Sequence, residues 1–252
     1  MGTNFSGYSQ YYDLLYETKD YNAEVEYIDG LLKKFAPQKS NILELGSGTG
    51  KHARLLATKK YSVTGIERSA EMVAIADKNP VENLHIEVGD IRSYLLNARF
   101  DIALSLFHVI SYLTTNEDLI LAFRNVAQHL NRGGLFIFDV WYTPAVYSQS
   151  PETRIKRLHN DTINITRLAE SVINYRTNVV DVNYEIIIEG RSDNSFSKLN
   201  ETHPMRHFSE PEIQLLATLT GFECIHSEEF LSGNIPGKDT WGVCFILKKT
   251  DS

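Results

Sequence analysis

The segment Asn41–Leu45 is a short apolar run that stops at Gly46-Ser47-Gly48-Thr49-Gly50, and helical periodicity begins directly afterwards at residues 52–57. Glycines at such a turn tolerate positive φ and let the backbone approach a ligand closely. Downstream the strand-then-helix pattern repeats. Residues 63–67 read as a strand, and Ser69 caps a helix running to about residue 78. Leu84–Val88 and residues 100–106 read as further strands. A helix then places Leu119, Phe123, Val126 and Leu130 on one face, Gly133-Gly134 breaks it, and residues 135–140 form a fifth strand. Upstream, Tyr21–Phe35 reads as an amphipathic helix with Asp20 as its N-cap and Val25, Ile28, Leu31 and Leu32 on one face. Strands alternating with helices of this length predict βαβ units, right-handed crossovers and an open parallel sheet, so the fold class is α/β.

The pattern changes over residues 141–208, where strand-like stretches lack helical periodicity. Val180, Val182, Tyr184, Ile186 and Ile188 alternate with polar residues, as a half-buried antiparallel strand does, and Ile163 and Ile165 suggest its partner. The expected organisation is a core of residues 1–140 and 209–252, with residues 1–20 as an N-terminal lid. Residues 141–208 are an antiparallel β insertion covering the acceptor site. Ser209-Glu210-Pro211-Glu212 reads as a capping box for a helix that stops at Gly221, and residues 223–231 and 241–248 supply two last strands.

Twenty-five Lys and Arg against 32 Asp and Glu give a net charge of −7, and no basic run exceeds two residues. Nucleic acid is therefore not an expected partner. Cys224 and Cys244 sit in apolar strand-like runs and read as buried, inert thiols, with no metal or disulfide spacing. The N-terminus does not read as a signal peptide and no apolar run reaches the length of a membrane helix, so the expectation is a cytoplasmic protein without a membrane partner. The sequence leaves the oligomeric state open, a homodimer included.

The glycine loop alone does not choose its ligand, because Gly48-Thr49-Gly50-Lys51-His52-Ala53 also fits the dinucleotide fingerprint G-x-G-x-x-A. Two acids decide. Glu67 ends the second strand, where a carboxylate can accept both ribose hydroxyls, and Asp90 ends the third, where it can accept the adenine amine while Ile91 packs on the ring. Glu44, just before the glycines, suits a cation and not a pyrophosphate. S-adenosylmethionine (SAM), with its sulfonium and ammonium, satisfies all three. Glu44, Gly46, Ser47, Gly48, Glu67, Arg68, Asp90 and Ile91 are the expected cofactor site, and no metal is expected.

The series ILELGSGTG, VTGIE, VGDI, FDIALS and LNRGGLFIFD resembles the ordered motifs of class I SAM-dependent methyltransferases. That resemblance implies a Rossmann-like, seven-stranded sheet whose last strand, at 241–248, runs antiparallel. Tyr11-Tyr12-Asp13-Leu14, Lys19-Asp20-Tyr21, GTGKH, SLFHVISYL, Asp139 with Trp141-Tyr142-Thr143-Pro144, and Glu201-Thr202-His203 followed by Phe208 resemble the nucleotide-sugar N,N-dimethyltransferases of the desosamine and mycaminose type. Similar motifs accompany bacterial surface-glycan synthesis. The resemblance implies methyl transfer to the amino group of a nucleotide-linked sugar or glycan precursor, SAM contacts from Tyr12, Gly46, Glu67, Asp90, Ile91 and Leu106, and Tyr112 near the reacting amine. The chain departs from the family's acidic-Pro-Trp-Trp with Asp139-Val140-Trp141-Tyr142, and from its Gly/Arg-rich tail with Gly237-Lys238-Asp239-Thr240-Trp241.

Tyr112, His108, Asp139 and His203 are candidates for the chemistry at the acceptor mouth. A neutral amine would need no base, and a hydroxyl acceptor would. Trp141 and Tyr142 are candidates for the acceptor wall, Arg206 for an acceptor phosphate, and Tyr11 and Tyr12 for an arm that closes over the donor. Sugar O-methylation is the nearer alternative. An NAD-type oxidoreductase and a non-catalytic SAM-binding protein are remote ones.

Overall fold

The computed structural model describes residues 14–17, 19–149, 152–193 and 195–250. Tyr11, Tyr12 and most of the expected lid lie outside these. Five parallel strands, β1 (Asn41–Leu45), β2 (Ser62–Glu67), β3 (Leu84–Val88), β4 (Phe100–Ser105) and β5 (Leu130–Tyr142), stand in the order β3-β2-β1-β4-β5. Next to β5, β11 (Gly242–Lys249) runs antiparallel, and β10 (Phe222–Glu229) closes the edge against it. These seven strands with a reversed last one are the sheet that the motif series implies.

Side chains of the central strands alternate between two cores. Phe136, Phe138 and Val140 of β5, with Phe245 of β11, face helices α4 (Asn116–His129) and α6 (Glu210–Thr220). Leu135 and Ile137 face α1 (Tyr21–Phe35) and α2 (Lys51–Thr58) through Val25, Ile28, Leu32 and Leu56. Covering both faces is why these strands read as unbroken apolar runs. Helix α3 (Ala70–Ala76) lies over β3, and Ser69 caps it by accepting from the Met72 N–H.

The insertion is a four-stranded antiparallel meander: β6 (Arg154–His159), β7 (Ile163–Asn174), β8 (Val179–Gly190) and β9 (Phe196–Phe208). Ile165 pairs with Ile188, as the alternation predicts. The meander continues the sheet through two pairs only, Trp141 with His207 and Tyr142 with Phe208, where β9 runs parallel to the end of β5. Leu15 is buried against Ile165, Ile186 and Ile188, and Lys156 donates to its carbonyl, so the described N-terminal residues are tied to the insertion.

Four local expectations are corrected. Helix α4 ends at His129, not at the glycines, and Leu130 is already extended. Leu130 is buried in the same core as Phe123 and Val126, so the apolar spacing runs one step past the helix. Residues 143–148 form a short helix, α5 (Thr143–Ser148), begun by Pro144, inside the segment read as all strand. Ser209 makes no side-chain cap bond. Pro211 offers no N–H to accept, and Glu212 is drawn to Arg206 instead. Cys244 is buried as expected, but Cys224 is only half-buried.

Candidate active site

The C-terminal ends of β1 to β5 converge on one edge of the sheet, where open α/β sheets bind ligands. The glycine turn is held there by its backbone: Gly46 N–H and Ser47 N–H both donate to the Ile66 carbonyl at the end of β2. Gly46 has φ +68°, and a Cβ on it would sit 2.6 Å from Val109 Cγ1. At Gly65, on β2 beneath the turn, a Cβ would meet Ser47 Oγ at 2.3 Å. The left-handed backbone and the Val109 contact thus favour glycine at 46, and the turn packed over β2 favours it at 65. Gly46→Ala is expected to cost about 2–4 kcal/mol, from the left-handed backbone and the Val109 contact together, and to lower the unfolding temperature. An unchanged melting curve would show that the turn relaxes freely.

Glu67 organises the turn from the other side. Its Oε2 accepts from Gly48 N–H at 2.9 Å and its Oε1 from Ser69 N–H at 2.7 Å. An ionised carboxylate has about four acceptor positions, so each oxygen keeps capacity for a ribose hydroxyl. Glu44 is 2% exposed, and among the described residues nothing hydrogen-bonds its Oε2. Burial pushes its carboxyl up from the usual range, only partly opposed by the charge of His52 and a bond from Ser47. A buried acid with an unanswered oxygen beside a glycine turn is what an ammonium-bearing ligand would complement. Ile91 packs partly against the core, and Leu106 is buried beside the site.

Asp90 stands at the end of β3, but its carboxylate is already engaged. Arg92 donates to it from its backbone N–H and its guanidinium, and also pairs with Asp118. These bonds hold the Asp90 carboxyl below the usual range, and Arg68 adds its charge to the effect.

At the other end of the edge, Phe107 and His108 follow β4 with φ of +65° and +61°, strained values for non-glycine residues. The strain turns the chain back over Asp139, which is 1% exposed. His108 Nδ1 lies 2.7 Å from Asp139 Oδ2, and the His108 N–H donates to the same carboxylate at 3.2 and 3.3 Å. Burial alone would push Asp139 up, and His108 overcomes this and holds it below the usual range. Trp141 stands edge-on to His108 at 6.2 Å and to Trp241 at 6.0 Å, while Tyr142 packs partly into the core. Tyr112, 38% exposed, reaches His203 on β9 at 2.9 Å. Arg206 is turned away from this mouth: it is buried, paired with Glu212 and donating to the Thr114 carbonyl. The structure therefore gathers Glu44, the glycine turn, Glu67 and Asp90 at one end, and His108, Asp139, Trp141, Tyr112 and His203 at the other. Among the described residues no group of His, Cys, Asp and Glu is placed to hold a metal ion.

Three residues beside the site were not singled out from sequence. Lys19 lies over the rings of Tyr21 and Phe107 at 4.3 and 4.4 Å and pairs with Glu24, which also holds His52 at 2.6 Å. Trp241 closes the aromatic wall, its indole N–H donating to Gln149 Oε1 at 2.6 Å. Arg92 anchors Asp90. Lys19 and Trp241 were visible as motif residues, but Arg92 carried no signal.

A family profile described as a methyltransferase domain matches residues 42–134. The dTDP-3-amino-3,4,6-trideoxy-α-D-glucopyranose N,N-dimethyltransferase of Streptomyces venezuelae is 28% identical over 230 residues, 90% of this chain and 93% of that protein. The dTDP-4-amino-2,3,4,6-tetradeoxy-D-glucose N,N-dimethyltransferase of Saccharopolyspora spinosa is 30% identical over 177 residues, 69% of this chain and 70% of that one. A SAM-dependent methyltransferase from Clostridium acetobutylicum shares the fold with a TM-score of 0.79, at 19% identity, covering 98% of this chain and 100% of that one. The dinucleotide fingerprint is thus a coincidence of glycine spacing. The chain is a SAM-dependent methyltransferase and belongs to the family that includes these dTDP-amino-sugar N,N-dimethyltransferases.

Proposed function

We propose that the enzyme transfers methyl groups from SAM to the amino group of a dTDP-linked amino sugar. The observation that carries this reading is the reach of the similarity. The match to the Streptomyces venezuelae N,N-dimethyltransferase takes in 90% of the chain, and so most of the β6–β9 insertion as well as the SAM-binding core. The insertion is the part that a conserved donor would not require. That reach supports reading the insertion as the acceptor cover, and the cytoplasm is the compartment that fits such a reaction.

When bound, SAM would supply a sulfonium methyl to a nucleophile attacking in line, the C–S bond breaking and S-adenosylhomocysteine leaving as the thioether. Glu67, Asp90 and Ile91 would hold its adenosine, and Glu44 its ammonium. The protein's main contribution is then orientation in a water-poor cleft, an effect worth up to about 7–11 kcal/mol. Trp141 and Trp241 wall the cleft, and the Phe107-His108 turn, locked onto Asp139, fixes its floor. A neutral amine attacks without a base, so the Tyr112 hydroxyl, 2.9 Å from His203 Nδ1, serves to orient the nitrogen.

Incubation with SAM and each of three dTDP-amino sugars (the 3-amino-3,4,6-trideoxy, 3-amino-3,6-dideoxy and 4-amino-2,3,4,6-tetradeoxy forms) tests this by mass. Two methyls on one nitrogen are expected, with the amine-free dTDP-6-deoxyglucose unmodified. Methylation of that hydroxyl-only sugar with none on the amines would instead make the enzyme an O-methyltransferase.

A further inference from the structure

Tyr112 belongs to the turn after β4, and His203 and Glu201 belong to β9 of the insertion, yet the three form one hydrogen-bonded chain. Tyr112 Oη is 2.9 Å from His203 Nδ1 across 91 residues of sequence, and His203 Nε2 is 3.0 Å from Glu201 Oε2. The direction of the chain follows from its end. A carboxylate only accepts, so His203 Nε2 carries a hydrogen and donates to Glu201, which leaves Nδ1 to accept from the Tyr112 hydroxyl. His203 is 2% exposed, whereas Tyr112 is 38% exposed, so the chain runs from a surface an acceptor can reach into a buried imidazole. A bridge meant only to fasten the insertion would need the first two members. The carboxylate behind the imidazole is what stabilises an imidazolium.

The surroundings are mostly aromatic. Tyr184 of β8 stands edge-on to His203 at 5.0 Å, Arg167 of β7 lies over the Tyr184 ring at 4.9 Å, and Tyr16, Tyr184 and Glu201 are near enough to disfavour a Tyr112 anion.

We infer that Tyr112, His203 and Glu201 are the proton exit for the acceptor nitrogen, an inference that rests on the amine reading above. The first methyl transfer leaves a secondary ammonium, which has no lone pair and cannot attack again. The ammonium N–H bond breaks and its electron pair stays on nitrogen. Its proton goes to Tyr112 Oη while the tyrosine's own proton passes to His203 Nδ1. A neutral secondary amine results, with a His203 imidazolium held against the Glu201 carboxylate, and the imidazolium yields its proton to solvent between turnovers. Tyr112 touches the reacting nitrogen, and His203 and Glu201 are positioning residues acting through it.

The test follows the two methylations separately on the three dTDP-amino sugars, with Tyr112→Phe, His203→Ala and Glu201→Gln, and measures SAM affinity alongside. At neutral pH the monomethyl product is expected to accumulate, the second transfer slowing about 10²-fold. The deficit should shrink as pH rises toward the pKa of the amine itself, because solvent then removes the proton, and SAM affinity should not change. A deficit equal at every pH, or none, overturns the relay. If His203→Ala does not fold, Tyr112→Phe, which leaves the buried pair in place, decides alone. A wild type that dimethylates while the variants match it refutes the relay only; a wild type that methylates none of the three sugars refutes the amine reading and the relay together.

Discussion

Glu67→Ala is expected to weaken SAM binding by about 10²-fold or more and to loosen the glycine turn even without ligand. Two hydroxyl donors lost from an ionised acceptor, at about 1.5 kcal/mol or more each, set the first figure. The second effect comes from the bonds already formed. Glu67 holds the Gly48 and Ser69 N–H groups, so removing it frees the middle of the turn and the entry to α3 together. Glu67→Gln should rescue little, because its amide would point a donor at one of two backbone donors. Calorimetry gives the affinity, and amide exchange at Gly48 and Ser69 reports the turn. If Glu67→Ala kept full affinity while both amides lost protection, Glu67 would serve the turn alone and the ribose assignment would fall.

The same residue shows what the sequence could and could not convey. Glu67 was legible because it ends a short strand just before the Ser69 helix cap, at the sheet edge where open α/β sheets bind ligands. Asp90 was legible by the same position after β3, and Glu44 as an acid inside apolar β1 directly before the glycines. Gly221 was legible as a helix stop because its φ of +84° suits glycine alone. Pairings across elements left no such trace. Arg92 follows Asp90 by two residues, but Asp118, its other partner, arrives from α4. Arg206 looked like a phosphate ligand until α6 placed Glu212 against it. Tyr112 and His203 were each picked as candidates near the acceptor, but nothing local announces that a turn after β4 and a strand of the insertion meet. Leu130 shows the opposite failure: burial in the right core made a strand residue fit a helical spacing.

Glu44→Gln is expected to make the ligand-free protein more stable at neutral pH and, at the same time, to weaken SAM binding by about tenfold or more. The sign follows from burial, which raises the Glu44 carboxyl above its unfolded range. A group shifted that way contributes stability at low pH and loses it as pH rises through its folded pKa. At neutral pH the ligand-free protein therefore carries a strained, partly unanswered acid that glutamine does not have. In thermal unfolding each kcal/mol gained raises the midpoint by about 2–4 °C at this chain length, and the gain of the variant over wild type should widen as pH rises above the ordinary glutamate range. Binding reverses the preference, since an ammonium at Oε2 favours the ionised form. In wild type, SAM affinity should accordingly increase with pH over the same interval, each mole of ligand releasing part of a proton, and in Glu44→Gln that dependence should vanish. A variant that binds SAM as tightly as wild type with the same pH slope would mean that the ammonium is held elsewhere, with Lys19, Glu24 and His52 the next group of side chains to vary.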